Sequence, residues 1–400
     1  MMQVDPEALN IVATLRRAGH TAYFAGGCVR DMLLKRSCKD FDVATSATPE
    51  EIFQLFDHCL EVGALFGVVH IVISKKNYEV ATFRSESGYS DGRHPDHVER
   101  SSPEKDAERR DFTINGMFYD PMEKKVLDFV RGQEDLDARV IRAIGNPKER
   151  FKEDRLRLLR AVRFSAALNF KIESTTYDAI RSEAQNLFPS VSPERIYEEL
   201  TKMAQGLNFA KAILALWDTG LLKEIFPGLD QESVEKGVHW VQQIELGHPA
   251  ALTFALLMLE CDAQKMKNWI GAYFVKKADK KRLVLLGEFL DLLGRNPTMQ
   301  TLAHLFAQDE AMDCLKTLAV AYPQQVQQLY RLQEELKIHV DRIREKRPFI
   351  SASDLMKEGI QPGPQMGSLL EEAERLAIDE ELTEKSALIR RLKNLEIWPT

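Results

Sequence analysis

No stretch of this chain stays apolar long enough to cross a bilayer. The longest such run, Ala250 to Leu259, falls short of the roughly 20 residues a membrane helix requires. The first twenty residues, MMQVDPEALNIVATLRRAGH, hold no uninterrupted apolar core of the kind that marks a secretory signal. The expectation is a cytoplasmic protein with no membrane partner. Cysteine is sparse: Cys28, Cys38, Cys59, Cys261 and Cys314 are odd in number and nowhere form a Cys-x-x-Cys pair. That spacing suggests neither a zinc site nor a disulfide framework, and free thiols in a reducing compartment are the simpler reading. Positive charge is not in excess either. A net charge of -7 and a pI near 5.8 argue against a surface coated for nucleic acid, although local patches matter more for binding than the total. Two such patches exist, Ile141 to Arg163 with eight Lys or Arg against three acids, and Leu336 to Arg347 with five against two. Tandem repeats and low-complexity tracts are absent.

What is present begins with size. Four hundred residues with 44% apolar content bury a substantial core and exceed one typical domain, so two to four units are expected. The chain is organised around Ala25 to Ala44, AGGCVRDMLLKRSCKDFDVA. Gly26 and Gly27 follow a short apolar strand, Tyr23 to Ala25, and their missing Cβ atoms let main-chain amides approach an anion at the start of a helix. Arg30 lies one turn inside that helix, within reach of the same anion. Asp40 and Asp42 are two residues apart, and on a strand that spacing puts both carboxylates on one face while Phe41 points to the core. Two close carboxylates call for a cation, and oxygen-only ligands suit Mg²⁺. Each half alone is a common pattern; in strand-helix-strand order they read as a phosphate cradle beside a metal clamp.

Around this stretch the pattern alternates helix and strand. Residues 3 to 18 read as a helix with Leu9, Val12 and Leu15 at helical spacing. Thr48-Pro49-Glu50-Glu51 reads as a cap opening a helix through Phe56. Val62 to Ser74 and Tyr78 to Phe83 are strand-like, with Asn77 at the turn between them. A small mixed sheet with helices on one side follows. Glu79 could approach Asp40 and Asp42 as a third carboxylate or be an ordinary edge-strand acid. Arg84 to Asp96, RSESGYSDGRHPD, has no periodicity and is expected to be a mobile loop, a linker or a gate. Arg109-Arg110-Asp111-Phe112-Thr113-Ile114-Asn115 precedes a hairpin around Asp120-Pro121. There Arg110 could neutralise phosphate and Asp111 accept a ribose hydroxyl, or the two could simply pair with each other.

From Pro147 the chain is expected to be helical throughout. In Glu153 to Arg163, polar groups recur every three residues at Asp154, Arg157, Arg160 and Arg163. On one α-helix that spacing drifts by about 60° per step, so Asp154 and Arg157 should adjoin while Arg163 faces elsewhere. Glu153 stands four residues before Arg157, the favourable order for an ion pair. A fixed carboxylate beside a fixed arginine offers acceptors and donors to a base edge, and the outer arginines suit phosphate; a salt-bridged surface helix is the plainer alternative. Near the C-terminus, Gly359 to Gly367 is dense in glycine and proline, a sharp turn before a helix carrying Leu369, Leu370 and Leu376.

With these residues assembled, the chain resembles the class II CCA-adding enzymes, the tRNA nucleotidyltransferases grouped with bacterial poly(A) polymerases, over roughly the first 230 residues and the last 55. AGGCVRD with KDFDVAT resembles the catalytic motif, RRDFTIN the ribose-selecting motif, and KEDRLRLLRAVRF the nucleotide-templating helix. The resemblance implies an α+β fold: an N-terminal nucleotidyltransferase head with a small mixed β-sheet and helices (1–140), then an all-α neck (141–205), body (206–330) and tail (331–400). It implies that Asp40 and Asp42 carry catalytic Mg²⁺ ions, and that Gly27 and Arg30 meet the triphosphate. Arg110, Asp111 and Asn115 would contact phosphate and ribose. Asp154 and Arg157 would read the Watson-Crick edge of CTP or ATP, with Arg160 and Arg163 nearby. The partners implied are the tRNA 3′ end and elbow. Poly(A) polymerases share the head and neck motifs, but PFISASDLMKEGIQPGPQMGSLL resembles the tail of CCA-adding enzymes. The loop residues Asp91-Gly92-Arg93-His94-Pro95 favour addition of the final A. Gly116 departs from the Ala or Ser more usual there. An A-adding enzyme, a poly(A) polymerase, a non-catalytic RNA-binding protein and a small-molecule nucleotidyltransferase remain as alternatives; the last two would have no need, respectively, of the paired aspartates or of the helical half.

Overall fold

Asp5 accepts from the amides of Glu7 and Ala8 and opens α1 (Pro6–Arg17), with proline in the first turn where no amide partner is needed. This is a computed structural model that describes residues 4–38, 40–60, 67–89, 92, 95–260, 268–269, 271–272, 276–295, 297–380, 382 and 384–399. The core face of α1 is Ala8, Ile11, Val12 and Leu15. Leu9, expected on that face, is only half buried, because the i, i+3, i+4, i+7 stripe starts one residue earlier.

The chain then lays down β1 (Ala22–Ala25), α2 (Gly27–Leu33), β2 (Asp42–Thr45), α3 (Pro49–Leu55), β3 (Cys59–Leu60), β4 (Val68–Ile73) and β5 (Lys76–Thr82). Thr48 and Glu51 close a reciprocal capping box at the start of α3. The turn between β4 and β5 lies at Ser74-Lys75, both at positive φ, and not at Asn77, which pairs with Val72 inside the ladder. Only that register puts Val69, Ile71, Tyr78 and Val80 on one buried face. Next come β6 (Arg84–Ser87), β7 (His97–Arg100), α4 (Pro103–Glu108), a 3-10 turn (Thr113–Asn115), β8 (Phe118–Asp120) and β9 (Lys125–Leu127). Seven strands form one sheet in the order β3-β4-β5-β2-β1-β8-β9. It is mixed, since β2 and β5 run parallel and the other neighbours antiparallel.

The stretch expected as a loop begins as structure. β6 pairs with β7 in a separate two-stranded ribbon, whose polar side chains are satisfied: Glu86 accepts from Arg84 Nε at 2.6 Å, Arg109 Nη1 at 3.1 Å and Tyr89 OH at 2.8 Å. Asp91, Arg93 and His94 lie outside the described residues. So does the whole of the segment 62–66 that was expected to extend β4.

After α5 (Gly132–Ala138) and β10 (Val140–Ile141), the helix expected over Glu153 to Arg163 is two helices. α6 (Pro147–Glu153) ends, Asp154 is extended at φ -146 and ψ 107, and α7 (Leu156–Leu168) starts afresh. The Asp154 carboxylate accepts from the Leu156 amide at 3.0 Å, the local bond by which aspartate competes with helix continuation. β10 pairs parallel with β11 (Lys171–Ile172), and α8 (Ser174–Glu183), α9 (Pro193–Ala204), α10 (Phe209–Asp218) and α11 (Leu221–Ile225) follow. These residues and the sheet belong to one compact unit, residues 1–229; residues 230–400 form another.

The second unit is helical throughout its described residues. Its last part has its own core: Ile350, Leu355, Ile360, Met366, Leu369, Ala373, Leu376, Leu388 and Leu392 pack together. The helix Pro364–Asp379 starts behind Gly363 as the glycine and proline density predicts, with Leu369 and Leu376 buried. No described helix is long and apolar enough to cross a membrane.

Candidate active site

One cleft of about 920 Å³ opens within the first unit, lined among others by Gly26, Gly27, Arg30, Asp40, Asp42, Arg110, Asp111, Asn115, Asp154, Arg157, Arg160 and Arg163. Every residue that the family motifs assign to the site therefore lines the same space, although they come from three separate parts of the chain; Glu79, the possible third carboxylate, is not in that lining.

The floor is built by β1 turning into α2. Gly26 sits at φ 73 as the cap of α2, and a Cβ there would stand 2.9 Å from Arg110 Nη1. The glycine thus serves two ends, the left-handed turn and the close approach of a guanidinium. Arg110 is held in place by Asp106 through Nε at 3.2 Å and Nη2 at 3.0 Å and lies over the Phe118 ring. It does not pair with Asp111. Arg30 is held on two sides, by the Asp31 carboxylate at 2.9 Å and by Asn115 Oδ1 at 2.7 Å.

Asp42 begins β2, whereas Asp40 precedes the strand and is exposed, with Phe41 buried between them. The one-face geometry expected of a continuous strand is thus replaced by a strand end and its lead-in. In the parallel register Val43 pairs with Val80, so Glu79 stands beside Asp42. Burial, with the charges of Glu79 and Asp40, pushes the Asp42 carboxyl up to about 7 against the pull of Arg110. Among the described residues no three His, Cys, Asp or Glu side chains converge as a ligand set. Two carboxylates that repel each other at the mouth of a cleft, one half-desolvated, still make a donor set suited to a hard divalent cation completed by substrate oxygens.

Asn115 ends the 3-10 turn, and Asp111 lies two residues before it. The turn is fixed by Thr113 accepting at its backbone side from Gly116 and bonding through its hydroxyl to Asp135 at 2.7 Å, and by Ile144 N donating to Asp111 O at 3.2 Å. Asp111 accepts from Arg160 Nε at 2.8 Å and Nη2 at 2.5 Å on one oxygen, and from the Phe112 amide at 2.8 Å and Asn115 Nδ2 at 3.1 Å on the other. Burial alone would raise this carboxyl; Arg160, Asn115 and Arg157 overcome it and bring it down to about 2. A carboxylate has about four acceptor sites. All are engaged, so a ribose hydroxyl reaching Asp111 must displace one of these bonds. Gly116, the departure from the usual pattern, fits its surroundings: a Cβ would stand 2.6 Å from Val130 Cγ2.

The wall is the α6–α7 junction. Glu153 accepts from Arg157 Nη1 at 2.6 Å and from Arg150 Nη1 at 2.7 Å, and Arg157 also donates to the carbonyls of Arg150 at 2.9 Å and Arg109 at 3.3 Å. Asp154 is clasped by Arg195 Nη2 at 3.0 and 3.2 Å. Arg163 donates to the buried Glu199 at 2.6 Å and lies over the Phe164 ring at 4.1 Å. Contrary to the expectation that Arg163 faces elsewhere, all four polar residues reach the cleft. Asp154 is outside the helix, and the long arginine arms span the arc that Arg157, Arg160 and Arg163 sweep. Arg160 and Arg163, expected to face phosphate, are each already paired with a carboxylate.

The sequence reading missed Asp31, Asp106, Arg109, Arg195 and Glu199, which hold the named residues in place. The Asp106 to Arg110 spacing on a capped helix was a usable signal. Nothing local connects Arg195 with Asp154.

A family model described as the Poly A polymerase head domain matches residues 22–142, and one described as a probable RNA and SrmB- binding site of polymerase A matches residues 169–233. A CCA-adding enzyme of Lactobacillus delbrueckii is 34% identical over 93% of each chain, and one of Lactobacillus helveticus 30% identical over 98% of this chain and 97% of its own. The solved Bacillus stearothermophilus CCA-adding enzyme in complex with CTP superposes with a TM-score of 0.80 at 28% identity, covering 97% of this chain and 98% of that one. A Thermotoga maritima CCA-adding enzyme complexed with tRNA shares the fold, with a TM-score of 0.69 at 20% identity. The mixed-sheet nucleotidyltransferase head, the helical remainder and the full-length relatives agree: this chain is an enzyme of the class II CCA-adding family, the tRNA nucleotidyltransferases grouped with bacterial poly(A) polymerases.

Proposed function

We propose that this chain adds C, C and then A to the 3′ end of tRNA in the cytoplasm, taking CTP and ATP and releasing pyrophosphate. The observation that carries the reading is the single cleft that gathers a glycine turn, a carboxylate pair and a lattice of arginines and carboxylates. Relatives named for CCA addition over nearly their whole length support full CCA addition over A-only or poly(A) activity.

In this reading the backbone turn at Gly26 and Gly27, with Arg110 and Arg30 beside it, receives the triphosphate. Asp40 and Asp42 would hold Mg²⁺, which when bound neutralises charge at the transferring phosphoryl group and eases loss of the proton from the attacking 3′-hydroxyl. Asp111 and Asn115 set the position of Arg160 and Arg30 against phosphate and ribose. Asp154 and Arg157 present an acceptor and a donor to the base edge, each held in one orientation by Arg195 or Glu153. Pre-set partners lower the ordering cost of binding and sharpen discrimination between bases. Head (1–140) and neck (141–205) would carry this chemistry, with body (206–330) and tail (331–400) holding the tRNA, the tail at its elbow. The test is incorporation of each labelled nucleotide into tRNA lacking CCA, into tRNA ending in CC, and into unstructured RNA. C and A on the first substrate alone support the reading; A on every RNA points to a poly(A) polymerase, and no incorporation overturns it.

A further inference from the structure

One aromatic ring in the cleft has no part in the chemistry above. Phe164 belongs to α7, is buried, and lines the cleft. Its ring meets that of the fully buried Phe112 edge to face, with centroids 5.8 Å apart and planes at 77°. Phe112 is itself fixed by its antiparallel bridge to Ala143, so the Phe164 ring stands on a rigid support. Three guanidinium groups gather around this one ring, those of Arg30 and Arg160 at 5.3 Å from its centroid and that of Arg163 at 4.1 Å. Arg160 precedes Phe164 by one helical turn, where side chains are neighbours. Arg163 folds back along the same helix, and Arg30 arrives from α2, a distant part of the chain.

Any two of these charges lie within about the ~10 Å over which 0.1 M salt screens them, so they repel. The negative face of the ring attracts each of them, and each has a carboxylate partner: Asp31 for Arg30, Asp111 for Arg160 and Glu199 for Arg163. These bonds do not use up the arginines. Among the described residues Arg30 donates three side-chain hydrogen bonds, Arg160 two and Arg163 one, fewer than the N–H groups a guanidinium carries. The residues lining the cleft include eight Lys or Arg against five Asp, so an anion is drawn to the space that holds the unused donors.

We propose that Phe164 is a positioning residue for the triphosphate: its ring collects Arg30, Arg160 and Arg163 into one cluster whose remaining N–H groups receive the phosphate tail of the nucleotide. A leucine would fill the same space but has no negative face to hold the three cations together. A carboxylate would hold them but would also neutralise charge that the phosphates need. The ring gathers the arginines and adds no charge of its own. That the anion is a nucleotide's triphosphate rests on the nucleotidyl-transfer reading; the cluster itself does not.

The full chain, free of divalent ions, is titrated with inorganic tripolyphosphate in a calorimeter at fixed salt, and KM and kcat for CTP are measured on tRNA lacking CCA. The proteins compared are the parent, Phe164→Leu, and the parent carrying singly, doubly or triply fluorinated phenylalanine at position 164. Fluorine weakens the negative face of the ring step by step at nearly constant shape, and a melting curve confirms that each protein is folded. If Phe164→Leu does not fold, the fluorinated series decides. Tripolyphosphate affinity should fall with each fluorine, by about tenfold for the triply fluorinated ring and for Phe164→Leu, the scale of one desolvated cation–π contact. KM for CTP should rise in parallel with kcat unchanged, the signature of an interaction made equally with bound substrate and transition state. An affinity independent of fluorination means that the ring only packs, and overturns the assignment. A parent that binds no tripolyphosphate, or a fall in kcat at constant KM, overturns it as well. If affinity follows the fluorine series but no nucleotide is added to any RNA, the anion cluster stands and the nucleotidyl-transfer reading falls.

Discussion

The two sides of the cleft are built on opposite electrostatic plans. On the strand side, Asp42 is half-desolvated beside Glu79 and Asp40, and its carboxyl is pushed up to about 7. On the helix side, Asp111 is more deeply buried, yet its carboxyl is brought down to about 2 because Arg160 and Asn115 bond to it. Asp154, Arg157 and Arg163 likewise have partners in place. Burial is common to both sides; the presence of a matched cation decides the outcome. One side is left with a charge conflict that an incoming cation resolves, and the other is settled before any substrate arrives.

Removing the conflict should cost function and not stability. Asp42→Ala should lower nucleotide addition by roughly a thousandfold or more, about 4 kcal/mol of lost electrostatic assistance, with a melting temperature no lower than the parent's in the absence of divalent ions. An active Asp42→Ala protein breaks the comparison. Removing a settled charge should do the reverse. Asp111→Asn leaves Arg160 without its carboxylate and should cost about 2–3 kcal/mol in a denaturant titration, below the full cost of a broken buried pair because the Arg160 side chain is 32% exposed.

Asp154→Ala should relax the choice among nucleotides by about 2 kcal/mol, read as the ratio of kcat/KM for CTP or ATP to that for UTP or GTP. Arg195→Ala should move the same ratio in the same direction with a smaller effect, since it removes only the clasp on Asp154.

The pH dependences should run in opposite senses. Asp42 keeps its proton in the folded state up to about 7, while an unfolded chain releases it near 3.8. Folding is therefore increasingly penalised as pH rises through that window, and Asp42→Asn should gain thermal stability over the parent above pH 7 and lose that advantage below pH 4. Divalent-ion affinity should rise over the same interval as the competing proton leaves. Asp111, at about 2 when folded, contributes stability above pH 4 that disappears as pH falls toward 2, so Asp111→Asn should differ least from the parent in strong acid. The smallest effect is expected of Gly26→Ala: about 1 kcal/mol of strain at φ 73, with a raised KM for nucleotide as Arg110 is pushed aside.

Much of this was legible in the chain because the signals are local. The Gly26-Gly27 turn, the Thr48-Pro49 cap, the Glu153 to Arg157 pair and the Gly363-Pro364 helix start each rest on residues within four positions of one another, where backbone geometry and helix periodicity act directly. Asn77 was misplaced because turn propensity is weaker than the burial of Val69, Ile71, Tyr78 and Val80, which sets the ladder register. The single helix expected over Glu153 to Arg163 fails for a reason of its own. Asp154 finds a better bond to the Leu156 amide, and Arg195, 41 residues away, holds it in that break.

The sequence alone thus determined the types of elements, the residues with chemistry to offer and the family motifs they form. Tertiary structure decided which of those charges are satisfied. Asp42 and Asp111 carry the same side chain, and their near neighbours, Asp40 for one and Asn115 for the other, supply only the lesser part of what pushes one up to about 7 and the other down to about 2. That difference comes from Glu79 brought alongside by strand pairing and from Arg160 brought across by helix packing. Electrostatic energy depends on distance through space, and only the folded chain sets that distance.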